Sequence, residues 1–243
     1  MLDTKTMPHV ADIPRVQAEL RGNEIAFWCK GEETTFAELD TRANQVGHGL
    51  SALGVGANQR VGYLAKNTAL YYEMLYGCAK IRAVMNAVNT RLAAPEVQFI
   101  LSDAQVSVLF VGPEWFDMVD QIKDECPHLE HIITVEGERD GWPEYAAWRD
   151  GQDSAAPDEK TLDDDDVIQL YTSGTTGLPK GVMLTNANYE SFMEQAGSLQ
   201  WAGYDVGEVV MNAMPLFHVA GVNAGLLATA QGPKTVVLPA IHP

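Results

Sequence analysis

Between residues 36 and 135 the chain alternates helical stripes with short apolar runs, and few folds satisfy that alternation. Phe36, Leu39, Ala43, Val46, Leu50 and Leu53 recur at helical spacing, the apolar stripe of one amphipathic helix. Thr35 and Glu38 stand at capping-box spacing at its start, and Gly54 supplies a stop. Residues 61–65 and 84–88 read as buried strands on either side of a helix marked by Leu70, Met74, Leu75, Cys78 and Ile81. Pro95 suits the first turn of a third helix carrying Val97, Ile100 and Leu101, and residues 106–111 form the next strand. A helix over 115–123 and a strand at 131–135 complete the series. Such alternation predicts βαβ units, hence an α/β fold of mainly parallel sheets covered by helices. Ahead of it, residues 25–29 and the Gly31-Glu32 turn predict a small β-hairpin, while the residues before 25 give no assignment.

Residues 171–182 read YTSGTTGLPKGV. Three glycines (Gly174, Gly177, Gly181), four hydroxyl side chains (Thr172, Ser173, Thr175, Thr176) and Lys180 lie between two apolar runs. Glycines let backbone N–H groups wrap an anion, hydroxyls add donors, and the ammonium supplies a point charge, which together make a phosphate cradle. A Walker A loop is excluded by spacing, because Pro179 stands where its second glycine belongs and Gly181 follows Lys180. The flanks 167–171 and 182–184 read as strands, so the loop joins strand to strand and opens no helix. The alternative is a Gly/Ser/Thr hairpin with an incidental lysine.

This run resembles the phosphate-binding signature of the adenylate-forming superfamily, which includes acyl-CoA synthetases, aryl-CoA ligases, luciferases and peptide-synthetase adenylation domains. The resemblance implies ATP-dependent activation of a carboxylate as an acyl-adenylate, with loss of pyrophosphate. It further implies that Thr172, Ser173, Gly174, Thr175, Thr176 and Gly177 hold the outer phosphates, with Lys180 as a charge contact at the edge. The segments TTFAELDTRANQVGHGLSALGVGANQRVGYLAKN and NAVNTRLAAPEVQFILSDAQVSVLFV are also close to the superfamily's first half. One departure lies at residues 80–83, KIRA, where the family usually carries a glycine after the lysine.

Residues 212–230 combine a strand end, a proline, an aromatic–His pair and small residues opening a helix, a plausible wall for an apolar pocket. PLFHVAG resembles the acyl-pocket motif of fatty-acyl and aryl-CoA synthetases. By that resemblance His218 is catalytic, gating or orienting the substrate between the carboxylate and nucleotide sites, and Phe217 and Gly221 shape the pocket. Read from the residues alone, a core histidine bonded to backbone at a helix start remains open.

The acidic stretch 137–166 reads as a surface connection between a first α/β subdomain (1–136) and the start of a second (167–243). Its four consecutive aspartates, 163–166, read as a solvated charge run, because hard-cation sites use carboxylates at spaced, converging positions. His128 and His131 sit three apart, but Pro127 and a following strand argue against the helix that would pair them, so no metal ligand is assigned. No GxSxG and no cysteine beside a base points to a nucleophile. Between 185 and 199, Asn186 or Asn188 is placed to cap a helix through Tyr189, Phe192, Met193 and Leu199, and residues 234–238 read as a strand.

A formal net charge of −17 disfavours nucleic acid and anionic membrane surfaces, so a polyanionic ligand must be drawn by local geometry and by Mg²⁺. Cys29, Cys78 and Cys126 are isolated and odd in number, the first residues carry no apolar signal core, and no apolar run spans a bilayer. A cytoplasmic protein without a transmembrane segment is expected. The chain contains no Thr-Glu and no Thr-Gly-Asp, the superfamily motifs for Mg²⁺ and ribose, nor its C-terminal domain with the catalytic lysine. The resemblance therefore implies an incomplete, N-terminal part of the adenylate-forming fold, weakly active or inactive alone and open to self-association through an unfinished sheet. The expected activity is that of an acid–thiol ligase using ATP, Mg²⁺ and coenzyme A on a fatty or other apolar carboxylic acid. An adenylation domain that loads a carrier protein, and a non-catalytic nucleotide-binding or interaction fragment, are the alternatives.

Overall fold

Thr35 and Glu38 cap their helix reciprocally. The threonine hydroxyl accepts from the Glu38 N–H at 3.2 Å while the carboxylate accepts from the Thr35 N–H at 2.8 Å. The computed structural model describes residues 9–172, 178–198, 204–205 and 207–239. Chain order runs α1 (Asp12–Arg21), β1 (Ile25–Cys29), β2 (Glu32–Thr35), α2 (Phe36–Ala52), β3 (Arg60–Leu64), α3 (Leu70–Lys80), β4 (Val84–Ala87), α4 (Ala94–Asp103) and β5 (Val106–Val111). It continues through α5 (Phe116–Ile122), β6 (His131–Thr134), α6 (Tyr145–Asp150), β7 (Asp166–Thr172), β8 (Lys180–Thr185), α7 (Asn186–Ser198), β9 (Val209–Asn212), α8 (Val219–Gln231) and β10 (Lys234–Val237).

These strands form two sheets. One has six strands in the order β6-β5-β3-β4-β7-β8, parallel except for the antiparallel β7/β8 pair. The other has four in the order β2-β1-β10-β9, parallel except for the β1/β2 hairpin. The expected α/β architecture of mainly parallel sheets flanked by helices is therefore present. Each sheet draws strands from both flanks of residues 137–166, so that segment is not a boundary between the sheets. The hairpin turns at Lys30-Gly31, one residue earlier than its sequence suggests, with positive φ at both residues (53° and 93°).

Helix α3 lies between the sheets and is buried on all sides, which explains why Tyr71, Tyr72 and Tyr76 are fully enclosed. Tyr72 stacks on Phe27 of β1 with ring centroids 4.7 Å apart, and Tyr71 meets Tyr63 of β3 edge-on at 5.1 Å. One helix thus ties the two sheets into a common core.

Several local expectations are corrected. Helix α6 lies within the acidic connection, and Glu144 caps it by accepting from the N–H groups of Ala146 and Ala147. The aspartate run is not uniformly solvated: Asp165 is buried, because Arg82 and the Leu162 N–H satisfy its carboxylate. Of the two asparagines offered as caps for helix α7, Asn188 takes part and Asn186 does not. Thr185 and Asn188 cap it reciprocally, while Asn186 bonds the Leu162 carbonyl and the Val10 N–H. Leu199 lies outside the described residues. No helix among the described residues is long and apolar enough to cross a membrane.

Candidate functional site

The strands flanking the glycine-rich run pair antiparallel, with Thr172 opposite Lys180 at the loop end of the β7/β8 hairpin. Strand-to-strand connection is therefore the arrangement of this loop. Ser173, Gly174, Thr175, Thr176 and Gly177 lie outside the described residues. Both stem residues are exposed, leaving the Thr172 hydroxyl and the Lys180 ammonium open to a ligand at the mouth of the loop.

Polar bonds fix the direction of this stem. The Tyr171 hydroxyl donates to the Asp103 carboxylate of α4 and accepts from the Gln169 side-chain amide at 3.5 Å. Burial, aided by the neighbouring Asp103 charge, pushes the Tyr171 phenol up, so it remains a protonated donor. Gly181 lies beneath these side chains. A Cβ there would press into the Gln169 amide and lie 3.1 Å from Tyr171 Cζ, so this glycine serves close packing of the stem.

Thr172 lines a cleft of about 550 Å³ whose walls come from β4, α4, β7, β8 and the start of α8. Leu92, Ile100, Leu170, Val182, Leu184 and Val219 supply apolar surface, while Asn89, Glu96 and Tyr171 add polar groups. Phe217 and His218 complete the lining. His218 is the residue before α8, in extended backbone (φ −118°, ψ 140°), and its ring makes no capping bond. It is solvent-exposed and is not a core histidine. Phe217 also lines a smaller cavity of about 190 Å³, together with Lys66, Asn67, Thr90 and Arg91.

Gly221 does not line the cleft. It is buried one turn into α8, where a Cβ would run into the Pro215 carbonyl oxygen and lie 3.0 Å from that of Met214. The glycine therefore acts on the cleft indirectly, by allowing the helix to fold back against the segment that carries His218. Lys180 is likewise outside the cleft lining, beside Thr172 at the loop end of the hairpin.

Two residues absent from the sequence reading bind this segment. Asn67 accepts from the Leu216 N–H at 3.0 Å and donates to the carbonyls of Met214 and Leu238 at 2.9 and 3.2 Å. Asn212 donates to the Gly221 carbonyl at 2.9 Å and to the Tyr72 hydroxyl at 3.0 Å, and accepts from the Met214 N–H at 3.3 Å. Their only trace in the sequence is an amide at the end of an apolar run. Among the described residues no group of three or more His, Cys, Asp or Glu side chains is placed to hold a metal ion.

Comparison with known proteins identifies the family of this chain. The chain is 37% identical over 200 residues to a fatty acid–[acyl-carrier-protein] ligase of Streptomyces coeruleorubidus, covering 81% of this chain and 37% of that protein. It is 34% identical over 211 residues to a long-chain-fatty-acid–CoA ligase of Mycobacterium tuberculosis, covering 84% of this chain and 40% of the relative. Among solved structures, an anthranilate CoA ligase in complex with anthranoyl-AMP superposes with a TM-score of 0.90 at 28% identity, covering 96% of this chain and 45% of the other. The chain thus spans less than half the length of these relatives. The AMP-binding enzyme family model matches residues 14–243, nearly the whole sequence, and the chain belongs to that family.

Proposed function

We propose that this chain carries the acyl-facing and phosphate-facing part of an ATP-dependent acid–thiol ligase acting on a fatty or other apolar carboxylic acid. One observation carries the reading: a single apolar cleft is lined both by Thr172 of the glycine-rich hairpin and by Phe217 and His218. An apolar chain lying along Leu92, Ile100, Leu170 and Leu184 would present its carboxylate between the imidazole and the hairpin mouth.

In this reading a carboxylate oxygen attacks the α-phosphorus of MgATP, forming the acyl–phosphate bond as the bond to the leaving pyrophosphate breaks. The thiol of coenzyme A then attacks the acyl carbonyl and AMP departs. His218 orients the carboxylate and Phe217 packs against the acyl chain. Thr172, Ser173, Gly174, Thr175, Thr176 and Gly177 donate to the outer phosphates, with Lys180 adding charge at the edge; preorganised donors of this kind stabilise the charge that develops on phosphate. Mg²⁺ would arrive with the nucleotide, consistent with the strongly acidic chain. Three free, buried cysteines fit a cytoplasmic location, and the exposed Val209 and Met211 on edge strand β9 fit self-association.

ATP–pyrophosphate exchange, with Mg²⁺ and a panel of fatty and aryl acids, tests the first step. Exchange by this chain alone is expected to be weak or absent, and any exchange seen should depend on an apolar acid and be abolished by Thr175→Val with Thr176→Val. Acid-independent exchange would overturn the reading, and none from the folded chain would restrict the ligase assignment to a longer protein that includes these residues. A second reading, transfer to a carrier protein, is favoured by the 37% identity to the Streptomyces relative. Supplying coenzyme A or a phosphopantetheinylated carrier protein as acceptor distinguishes the two.

A further inference from the structure

The segment 213–218 leaves β9, turns at Pro215 and enters α8, so no strand ladder or helix satisfies most of its backbone. The His218 N–H reaches the Pro215 carbonyl at 3.1 Å, a bond internal to the turn. The Met214 N–H, the Leu216 N–H and the Met214 carbonyl depend on side-chain amides instead. Asn67 provides two of these bonds and Asn212 the third. Asn67 sits on the β3–α3 connection, is 6% exposed, and uses its second N–H on the Leu238 carbonyl just past β10. A neutral amide of this length is the group that offers both an acceptor and two donors here; a carboxylate offers only acceptors and an aliphatic side chain neither.

We infer that Asn67 is a positioning residue for the cleft: its amide clamps the backbone of Met214 and Leu216, joins that turn to the end of β10, and thereby sets where Phe217 and His218 stand. The bearing of this clamp on the acid rests on the ligase reading above; the clamp itself does not. Buried backbone groups must be paired, so losing the clamp leaves the turn to reorganise toward other partners. Asn212 holds the same turn from the β9 side and secures α8 through Gly221, which leaves Asn67 as the tie to the first sheet's loops.

The test uses the 243-residue chain with isotopically labelled histidine and leucine. In the native chain the Leu216 amide is expected to exchange slowly with solvent, and free exchange there would overturn the clamp without any variant. Asn67→Asp retains the acceptor for Leu216 but sets a carboxylate against two carbonyls. It should move the His218 ring resonance, identified by its loss in His218→Gln, and speed exchange at Leu216 roughly five- to tenfold. Asn44→Asp is the control, since Asn44 is similarly buried but bonds the Ser154 carbonyl far along the chain. A His218 resonance unmoved by Asn67→Asp, or moved equally by Asn44→Asp, overturns the inference. If acid-dependent pyrophosphate exchange is present, Asn67→Asp should raise the KM for the acid by roughly tenfold and leave that for ATP, a split that general destabilisation does not produce. If exchange is absent from the native chain, adenylation by this chain alone fails while the resonance and amide readouts still decide the clamp.

Discussion

Arg82 adopts a left-handed backbone conformation, φ 62°, and its guanidinium grips Asp165 through three bonds, Nε to Oδ2 and Oδ1 at 2.9 and 3.1 Å and Nη2 to Oδ1 at 2.8 Å. This is within the KIRA segment, where the family usually carries a glycine. The left-handed conformation explains why glycine suits this turn, and the ion pair gives the arginine a partner that glycine lacks. Arg82 follows α3 and Asp165 precedes β7, so the pair pins the entry to the strand that leads into the glycine-rich hairpin.

Arg82→Ala should destabilise the fold more than Arg82→Gly. Both lose the ion pair, but alanine retains the strained conformation and glycine relieves it, a difference of roughly tenfold in the folding equilibrium. Urea unfolding of the two variants checks the order.

Burial alone would push the Asp165 carboxyl up, but the bonds from Arg82 and from the Leu162 N–H outweigh it and hold the group below the usual carboxylate range. Its folded-state pKa is therefore depressed, so the stability it contributes is present above the ordinary aspartate value and lost as pH falls through the folded one. Asp165→Asn should flatten that acid limb of the stability–pH curve, measured by denaturation between about pH 2 and 5.

Glu73 of α3 is buried among Arg42 of α2, Arg149 of α6 and the Tyr145 hydroxyl, at 3.2, 2.9 and 2.8 Å. Its removal takes one of two carboxylates from the almost fully buried Arg149 guanidinium, leaving the exposed Asp150 at 2.7 Å, and breaking a buried pair from one side costs up to about 3–5 kcal/mol. Glu73→Ala should therefore destabilise the chain by up to about that amount, whereas Glu73→Ala with Arg149→Met should recover part of the loss. A double-mutant cycle in urea measures the coupling.

Alkali should unfold the protein from the core outward. Burial holds the phenols of Tyr71 and Tyr145 well above their ordinary value of about 10. Below that value both folded and unfolded chains keep these protons. Above it the unfolded chain releases them and the folded chain does not, so stability falls as pH rises. Tyr71→Phe should shift the alkaline midpoint upward, followed by near-ultraviolet circular dichroism.

What could be read from the sequence follows the range of the forces involved. The capping box of Thr35 and Glu38, the stripe of α2 and the βαβ run from β3 to β6 are local, and all are found in the structure. Helix α1 escaped notice because it has no side-chain cap and an apolar stripe too sparse to stand out. Helix α6 is shorter than two turns, too brief for a period to show in an acidic background. Asn67 and Asn212 were illegible for another reason: their meaning lies in backbone atoms far along the chain, and an isolated asparagine gives no spacing to read. Gly181 was counted with the phosphate glycines, whereas its neighbours Gln169 and Tyr171 assign it to packing.

Strand β1 has its parallel partner in β10, with Phe27 beside Thr235. During synthesis at about 5–20 residues per second, that partner emerges from the ribosome roughly 10–40 seconds after the hairpin does. Until then Phe27 has no second sheet to join, although Tyr72, on which it stacks, has already been made. The helix that later separates the two sheets is thus available as an early shelter for the hairpin's aromatic face, and a nascent chain halted before residue 234 would hold that face against α3 or surrender it to a chaperone.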